Sequence, residues 1–187
     1  GLILNMEKRR CKWCNLNNPK YIEYHDFEWG IPSYDDKYLF ELLLLESFQA
    51  GLSWECILNK RDNFRISFDN FNYEIIAKYD VNKIEELMKN SGIIRNRRKI
   101  EATINNAKVF MTIQKEFSSF NKYIWGFTNN KQIIGDGTNA TSNLSDKISH
   151  DLIKRGMKFV GSTIIYSYLQ AIGIINDHEV DCEFKKD

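Results

Sequence analysis

The chain has 187 residues, of which 43% are hydrophobic, 13% aromatic and 27% charged. This length and composition are those of one globular domain, and only two prolines and ten glycines exclude collagen-like and disordered chains. Because 26 Lys and Arg face 25 Asp and Glu, the net charge of +1 does not indicate a polyanionic partner, although a local cluster of charge can still bind one.

No apolar run approaches the roughly 20 residues of a membrane-spanning helix, and no signal-peptide pattern opens the chain. We therefore expect a soluble cytoplasmic protein with no membrane partner. Residues 1–5 precede Met6 and are interpreted as a remnant of expression, so that a single domain is predicted over residues 6–187.

Apolar residues at helical spacing predict several helices in the first half of the chain. Such residues recur between Tyr38 and Phe68, and Gly51 and Ser53 are expected to divide this run into two helices. The next predicted helix is capped by Asp80 or Asn82 and ends near Gly92. Another is predicted to open at Asn96 and to run through Met111.

The second half is predicted to be helical as well. Residues 120–127 are rich in aromatics and ambiguous, and residues 132–143 are predicted to be a surface loop. A helix capped by Ser145 or Asp146 is expected to end at Gly156, and a last helix to begin near Ser162 or Thr163 and to reach about Ile172. Strand signals are few, so the predicted fold class is all-α.

Cysteines and histidines at the two ends of the chain have spacings that suit a metal. Cys11 and Cys14 form a C-x-x-C pair, His25 follows, and His178 and Cys182 stand near the other end. The simplest closed tetrahedral zinc site is Cys11, His25, His178 and Cys182, with Cys14 as a possible substitute for Cys11. Four protein ligands would make such a zinc structural. The alternative is that these are unrelated buried thiols and histidines.

Several segments in order along the chain resemble the 3-methyladenine DNA glycosylase I family, and together they extend from about residue 10 to residue 182. The segments are Arg10-Cys11-Lys12-Trp13, Tyr21 to Gly30, Leu45-Glu46, Gln49 to Trp54, Gly92 to Arg95, Lys158 to Thr163 and Asn176-Asp177-His178. The resemblance implies a helix-hairpin-helix DNA glycosylase that removes 3-methyladenine, and less readily 3-methylguanine, from alkylated double-stranded DNA. It also implies a structural zinc that joins the N- and C-terminal segments through the four ligands named above.

The resemblance assigns roles to individual side chains. Glu46 follows a run of four leucines, where a carboxylate is costly without a partner or a task. The resemblance places it at the base of a pocket, as the catalytic residue that binds the edge of the flipped purine, whereas a position on an exposed helix face is the alternative. Tyr24 and Trp54 are the best stacking candidates, with Trp13, Tyr21 and Trp29 lining or supporting the pocket; the alternative for each aromatic is a place in the core.

DNA binding is expected from a helical hairpin. The candidates are Gly156, Lys158, Gly161, Ser162 and Thr163, because glycines let a phosphate approach and helix N-termini bind it. A basic segment at Arg95, Arg97, Arg98 and Lys99 either touches phosphates as well or is a solvated helix start. Leu52 either fills the gap left by the flipped base or belongs to the core.

The mechanism needs little assistance, because a base alkylated at N3 is cationic and leaves as a neutral purine. Asp177 is a weaker candidate for activating the attacking water. No lysine is positioned as a Schiff-base nucleophile, so lyase activity is not expected, and a monomer is expected. Two alternatives are a related glycosylase with another lesion range, and a catalytically silent zinc-containing protein that binds nucleic acid.

Overall fold

The computed structural model of the protein describes residues 3–186, so Gly1, Leu2 and Asp187, which belong to the predicted remnant and domain end, lie outside the described residues. The fold is mostly helical, as predicted. In chain order the elements are α1 (Pro19–Phe27), α2 (Asp36–Gln49), α3 (Trp54–Asn59), α4 (Arg61–Ser67), a 3-10 turn (Asp69–Phe71), α5 (Tyr73–Ile76), α6 (Val81–Met88), α7 (Arg97–Phe117), α8 (Phe120–Gly126), β1 (Ile133–Ile134), α9 (Asn143–Lys154), α10 (Ser162–Ala171) and β2 (Ile175–Asn176). No helix within this range is long and apolar enough to cross a membrane.

Helix α2 is the centre of the core. Ten consecutive residues, Leu39 to Phe48, are buried on every side of the helix, which is typical of a helix that other elements surround. Helices α3, α7, α8 and α10 pack against it. The predicted interruption follows directly, since Gly51 adopts a φ of +82° that glycine tolerates without a steric cost. The prediction of two helices was wrong, because the part after Gly51 forms both α3 and α4, which meet at Lys60.

Side-chain caps set most helix starts. Asp80 and Asn96 accept hydrogen bonds from the first turns of α6 and α7, as predicted. The cap predicted for α9 was wrong by one turn: Ser142 is the N-cap, and Ser145 completes a reciprocal capping box with it. Ser145 therefore bonds the backbone of the cap from inside the helix rather than starting the helix itself.

The sequence analysis did not predict α1, the 3-10 turn, α5 or either strand. Helix α1 buries His25 and Asp26 beside Ile22 and Tyr24, so its inner face is partly polar and lacks an apolar stripe. The predicted loop at residues 132–143 contains β1, which pairs in parallel with β2 through Ile133 opposite Ile175. A strand of two residues has no periodicity that a sequence could reveal.

Helices α9 and α10 pack against each other and are joined by the turn at residues 155–161. Gly156 has a φ of +102° and Phe159 a φ of +56°, which reverses the chain within a few residues. Asn106 on α7 both donates to the carbonyl of Lys158 and accepts from its N–H. This turn is therefore held by α7 rather than by its own side chains.

Candidate functional site

One cavity of about 200 Å³ lies between α1, α2, α10 and the segment after β2. Glu46 and all five aromatic residues that the sequence analysis assigned to base binding line it. The complete lining is Trp13, Tyr21, Tyr24, Trp29, Glu46, Trp54, Gly137, Ser167, Gln170, Asp177 and Glu179. Three of these described residues carry carboxyl groups and none is a lysine or an arginine, so the cavity favours a cationic ligand.

The aromatic side chains form two contacting groups around this cavity. The rings of Tyr24 and Trp54 are 5.3 Å apart at their centroids. Trp13 contacts Tyr21 at 5.2 Å and Trp29 at 4.8 Å. Tyr24 is almost completely buried, whereas Trp13 is 36% exposed, so the two groups form the interior and the mouth of the cavity.

Glu46 is buried at the inner end of α2, with 1% of its surface exposed. Burial raises the pKa of Glu46 to about 8, and a hydrogen bond with Ser167 opposes part of this rise. Its Oε2 atom and the Nε1 atom of Trp54 are buried without a hydrogen-bond partner among the described residues. Unpartnered polar atoms are costly in an interior, so both are available to a ligand.

A second carboxylate, Asp177, also lines the cavity. Its Oδ2 atom accepts hydrogen bonds from the hydroxyl of Tyr166 at 2.5 Å and from Nε2 of Gln170 at 2.8 Å. Gly135 lies so close that a Cβ atom built there would be 1.8 Å from Oδ1 of Asp177. The chain segment after β1 therefore closes one side of the cavity.

Sequence reasoning missed four cavity residues: Gly137, Ser167, Gln170 and Glu179. Ser167 and Gln170 lie one turn apart on α10, and Gly137 lies in the segment predicted to be a surface loop. None carries a compositional signal of its own. Gly137 follows β1, whose pairing with β2 brings this segment next to Asp177.

Three of the four predicted metal ligands meet near the chain ends. Their ligand atoms, from Cys11, His25 and Cys182, lie within 4.8 Å of one another. Sγ of Cys182 is 3.6 Å from Nε2 of His25, close to the about 3.5 Å expected for sulfur and nitrogen ligands of tetrahedral zinc. Cys14 is buried but lies outside this cluster, so it does not substitute for Cys11.

The fourth predicted ligand, His178, lies beside the cluster, with its ring 5.0 Å from that of His25. In both histidines Nδ1 is already engaged, by Oδ1 of Asp26 and by Oδ1 of Asn176, at 2.8 Å each. Such contacts fix a metal-binding histidine with its Nε2 atom towards the metal. Burial raises the pKa of the Cys11 thiol to about 12, so a cation is needed to stabilise its thiolate. The donor set therefore fits zinc.

Five of the predicted DNA-binding residues lie in the turn between α9 and α10 or at the start of α10. Gly161 and Thr163 at the start of α10 and Lys158 in the turn are exposed, and Gly156 and Ser162 are half-buried. The hydroxyl of Ser162 donates a hydrogen bond to Oδ1 of Asp146, so it is already engaged within the protein. A groove of about 320 Å³ contains Leu52, Thr163 and Asn139 and shares Ser167 and Gln170 with the cavity; Leu52 is 40% exposed.

The chain is similar to known proteins of one family over nearly its whole length. Residues 13–186 match the model of the methyladenine glycosylase family. The chain is 42% identical to DNA-3-methyladenine glycosylase 1 of Escherichia coli strain K12, over 92% of this chain and 95% of that one. It is 41% identical to DNA-3-methyladenine glycosylase of Haemophilus influenzae, over 94% and 97% of the two chains.

A solved structure shares the fold. The 3-methyladenine DNA glycosylase I of Staphylococcus aureus, determined to explain 3-methyladenine recognition, superposes with a TM-score of 0.91 at 34% identity, over 95% of this chain and 97% of that one. The sequence resemblance is thus confirmed, and the chain belongs to the methyladenine glycosylase family.

Proposed function

We propose that the protein is a monofunctional DNA glycosylase that excises 3-methyladenine, and less readily 3-methylguanine, from alkylated double-stranded DNA and so initiates base-excision repair. The observation that carries this proposal is the cavity itself. It has aromatic walls, three carboxyl groups and an unpartnered buried carboxylate oxygen. A flat, cationic, hydrogen-bonding ligand suits such a cavity, and an N3-alkylated purine in DNA is one.

The base enters this cavity only after leaving the helical stack. Tyr24 and Trp54 stack on the flipped purine, and Trp13, Tyr21 and Trp29 line or support the pocket. The electron-rich faces of these rings attract the positive charge of the alkylated base. Unmodified adenine carries no such charge and gains less from the same walls.

Glu46 supplies the polar contact. Its Oε2 atom accepts a hydrogen bond from the edge of the flipped purine, and its negative charge stabilises the cation inside a site from which water is excluded. The bond between the base and C1′ then breaks, with the electron pair going to the base, which leaves as a neutral purine. Water adds to the oxocarbenium-like sugar and loses a proton to solvent. No lysine lines the described cavity, which supports hydrolysis without a lyase step.

The pair α9–α10 acts as the helix-hairpin-helix element that binds the DNA backbone. Gly156 and Gly161 allow close approach, and the free N–H groups of Ser162 and Thr163 bind a phosphate oxygen. Lys158 adds a positive charge in the turn. Leu52, across the groove from Thr163, fills the gap left by the flipped base.

Replacement of Lys158 by alanine is expected to weaken duplex binding equally for all sequences and to reduce the slope of log affinity against log salt by about one. The physical reason is the loss of one phosphate contact and its released counterion. Affinity measured by fluorescence anisotropy over a salt series checks this. Lys37, exposed at the start of α2, provides the control: an unchanged slope in Lys158→Ala, or an equal change in Lys37→Ala, contradicts the assignment.

A structural zinc ion held by Cys11, His25, His178 and Cys182 completes the proposal. When bound, the metal cross-links the N- and C-terminal segments and offers no open catalytic position. Asp26 and Asn176 orient the two histidines, and Arg10 in turn holds Asp26 through two hydrogen bonds. We further propose that residues 6–187 act as one cytoplasmic, monomeric enzyme.

Release of free base from methylated duplex DNA tests the function. The wild-type protein is expected to release 3-methyladenine selectively, identified by chromatography, and Trp54→Ala is expected to slow release by about tenfold or more because one stacking face is lost. Phe117→Ala, which changes an aromatic packed outside the cavity, controls for general loss of packing. If a folded, zinc-loaded protein binds duplex DNA but releases no base, the protein is instead the catalytically silent nucleic-acid-binding protein considered above.

A further inference from the structure

Lys99 does not belong to a solvated basic segment. Arg95, Arg97 and Arg98 are exposed, but Lys99 is 7% exposed. Its Nζ atom donates hydrogen bonds to the backbone carbonyls of Phe48 at 2.8 Å and Ala50 at 2.7 Å. These carbonyls lie at the C-terminal end of α2, where the helix leaves them without partners of its own.

The charge of Lys99 stabilises the end of α2 rather than its own helix. Lys99 lies in the first turn of α7, which contains no acidic residue and where the helix dipole disfavours cations. The same charge is favourable at the C-terminus of α2, where the dipole is negative. Lys99 is thus buried where the dipole of its own helix disfavours a cation, and its hydrogen bonds with α2 compensate for that cost.

The carbonyls that Lys99 binds mark the start of the turn at residues 50–53. This turn connects the helix that carries Glu46 to the helix that begins at Trp54, and it presents Leu52. Residues 51–53 are exposed, and Gly51 has no atom within 4 Å of the position of a Cβ. The ammonium group therefore anchors, from within the protein, a turn that is otherwise open to solvent.

We propose that Lys99 is a positioning residue for base extrusion: it holds the turn at residues 50–53 so that Leu52 can enter the duplex. This inference rests on the proposed glycosylase function. Lys99 does not contact the base or the sugar, and its position on two carbonyls excludes a role as a nucleophile. Desolvation by burial lowers the pKa of Lys99, and the two carbonyl oxygens offset part of that cost.

A double-mutant cycle between Lys99→Met and Leu52→Ala tests the proposal. In single-turnover excision from duplex DNA, Lys99→Met is expected to slow base release about tenfold when Leu52 is present and less than about twofold in the Leu52→Ala background. Affinity for free 3-methyladenine, followed by tryptophan fluorescence, should change less than about threefold. Equal slowing in both backgrounds, or a parallel loss of free-base affinity, would overturn the proposal.

Amide hydrogen exchange gives a readout that does not need activity. Exchange at Leu52, whose N–H donates to the carbonyl of Gln49, is expected to rise by about tenfold in Lys99→Met. It is not expected to rise in Thr103→Val, which removes a buried hydroxyl bound to the carbonyl of Lys99 on the same helix. Unchanged exchange refutes the anchor even if the wild-type protein releases no base. If Lys99→Met fails to fold, Lys99→Gln provides the second test, because its amide retains a hydrogen-bond donor. Its exchange rate at the turn is expected to lie between those of the wild type and of a variant without the donor. A wild-type exchange rate in Lys99→Gln would contradict the proposal.

Discussion

Replacement of Glu46 by glutamine is expected to slow excision of 3-methyladenine by about 100-fold, the usual cost of removing one electrostatic contact to a developing charge. The same substitution is expected to stabilise the protein. Glutamine preserves the shape of the side chain and most of its hydrogen-bonding capacity, but it cannot bear the negative charge that burial disfavours at this position.

The pH dependence of stability follows from the pKa of Glu46, which rises from its ordinary value near 4.5 to about 8 on folding. Between these values the folded protein binds more protons than the unfolded chain, so the contribution of Glu46 to stability is complete below pH 4.5 and is lost as pH rises through 8. Glu46→Gln does not lose this stability, because glutamine does not ionise. We expect it to raise the free energy of unfolding by about 3 kcal/mol at pH 7, with no gain near pH 4.

Activity is expected to increase with pH, whereas the contribution of Glu46 to stability decreases. The ionised form of Glu46 stabilises the cationic base, so kcat/KM of the wild type is expected to rise with a midpoint near pH 8, the pKa of Glu46 in the free enzyme. The profile of Glu46→Gln should be flat in this range. Glu41 provides the control on the same helix: it is paired with Arg61 and Arg65, and Glu41→Gln should destabilise the protein. Equal melting shifts in the two variants would contradict this account.

Loss of the metal cluster is expected to have the other large effect. Cys182→Ala removes one of the proposed zinc ligands, which come from segments far apart in sequence, and we expect at least about 3 kcal/mol of stability to be lost, or about 10 °C in Tm. Chelation of zinc from the wild type should reproduce the shift. Thermal unfolding with metal analysis of the same samples measures both quantities.

Cys14→Ala is the matched control, because Cys14 is buried and lies in the same C-x-x-C pair but outside the cluster. It should retain about one zinc per chain and show the smaller loss typical of a buried side chain. Zinc content that falls in Cys14→Ala and not in Cys182→Ala would reverse the ligand assignment. Zinc-free wild-type protein with an unchanged Tm would refute a structural metal.

The helical fold was predictable wherever caps and apolar periodicity coincided, as at Asp80 and Asn96. It was not predictable in α1, whose buried face includes His25 and Asp26, because these polar residues are inside for reasons that arise only from partners distant in sequence. The boundary of α9 was misjudged because Ser142 and Ser145 are both good caps, and only the backbone geometry shows which of them starts the helix.

The candidate site was predictable mainly through the family resemblance, which assigned Glu46 and five aromatic residues to the pocket. Glu46 also stood out by itself, as a carboxylate after four leucines. Ser167, Gln170 and Gly137 carry no such signal, since they reach the cavity through the packing of α10 and the pairing of β1 with β2. Lys99 was grouped with exposed arginines, because a run of charges does not reveal which member turns inwards.

The placement of Asp177 and Glu179 in the cavity wall has a consequence for synthesis of the chain. Trp13 and Trp29 contact the ring of His25, and Trp29 also contacts that of His178, so the wall near the mouth is built from residues about 150 positions apart. A nascent chain emerging from the ribosome has its hydrophobic helices long before it has this wall. The cavity wall is therefore complete only after residues 177–179 have been synthesised and have docked against α1 and the segment around Trp13.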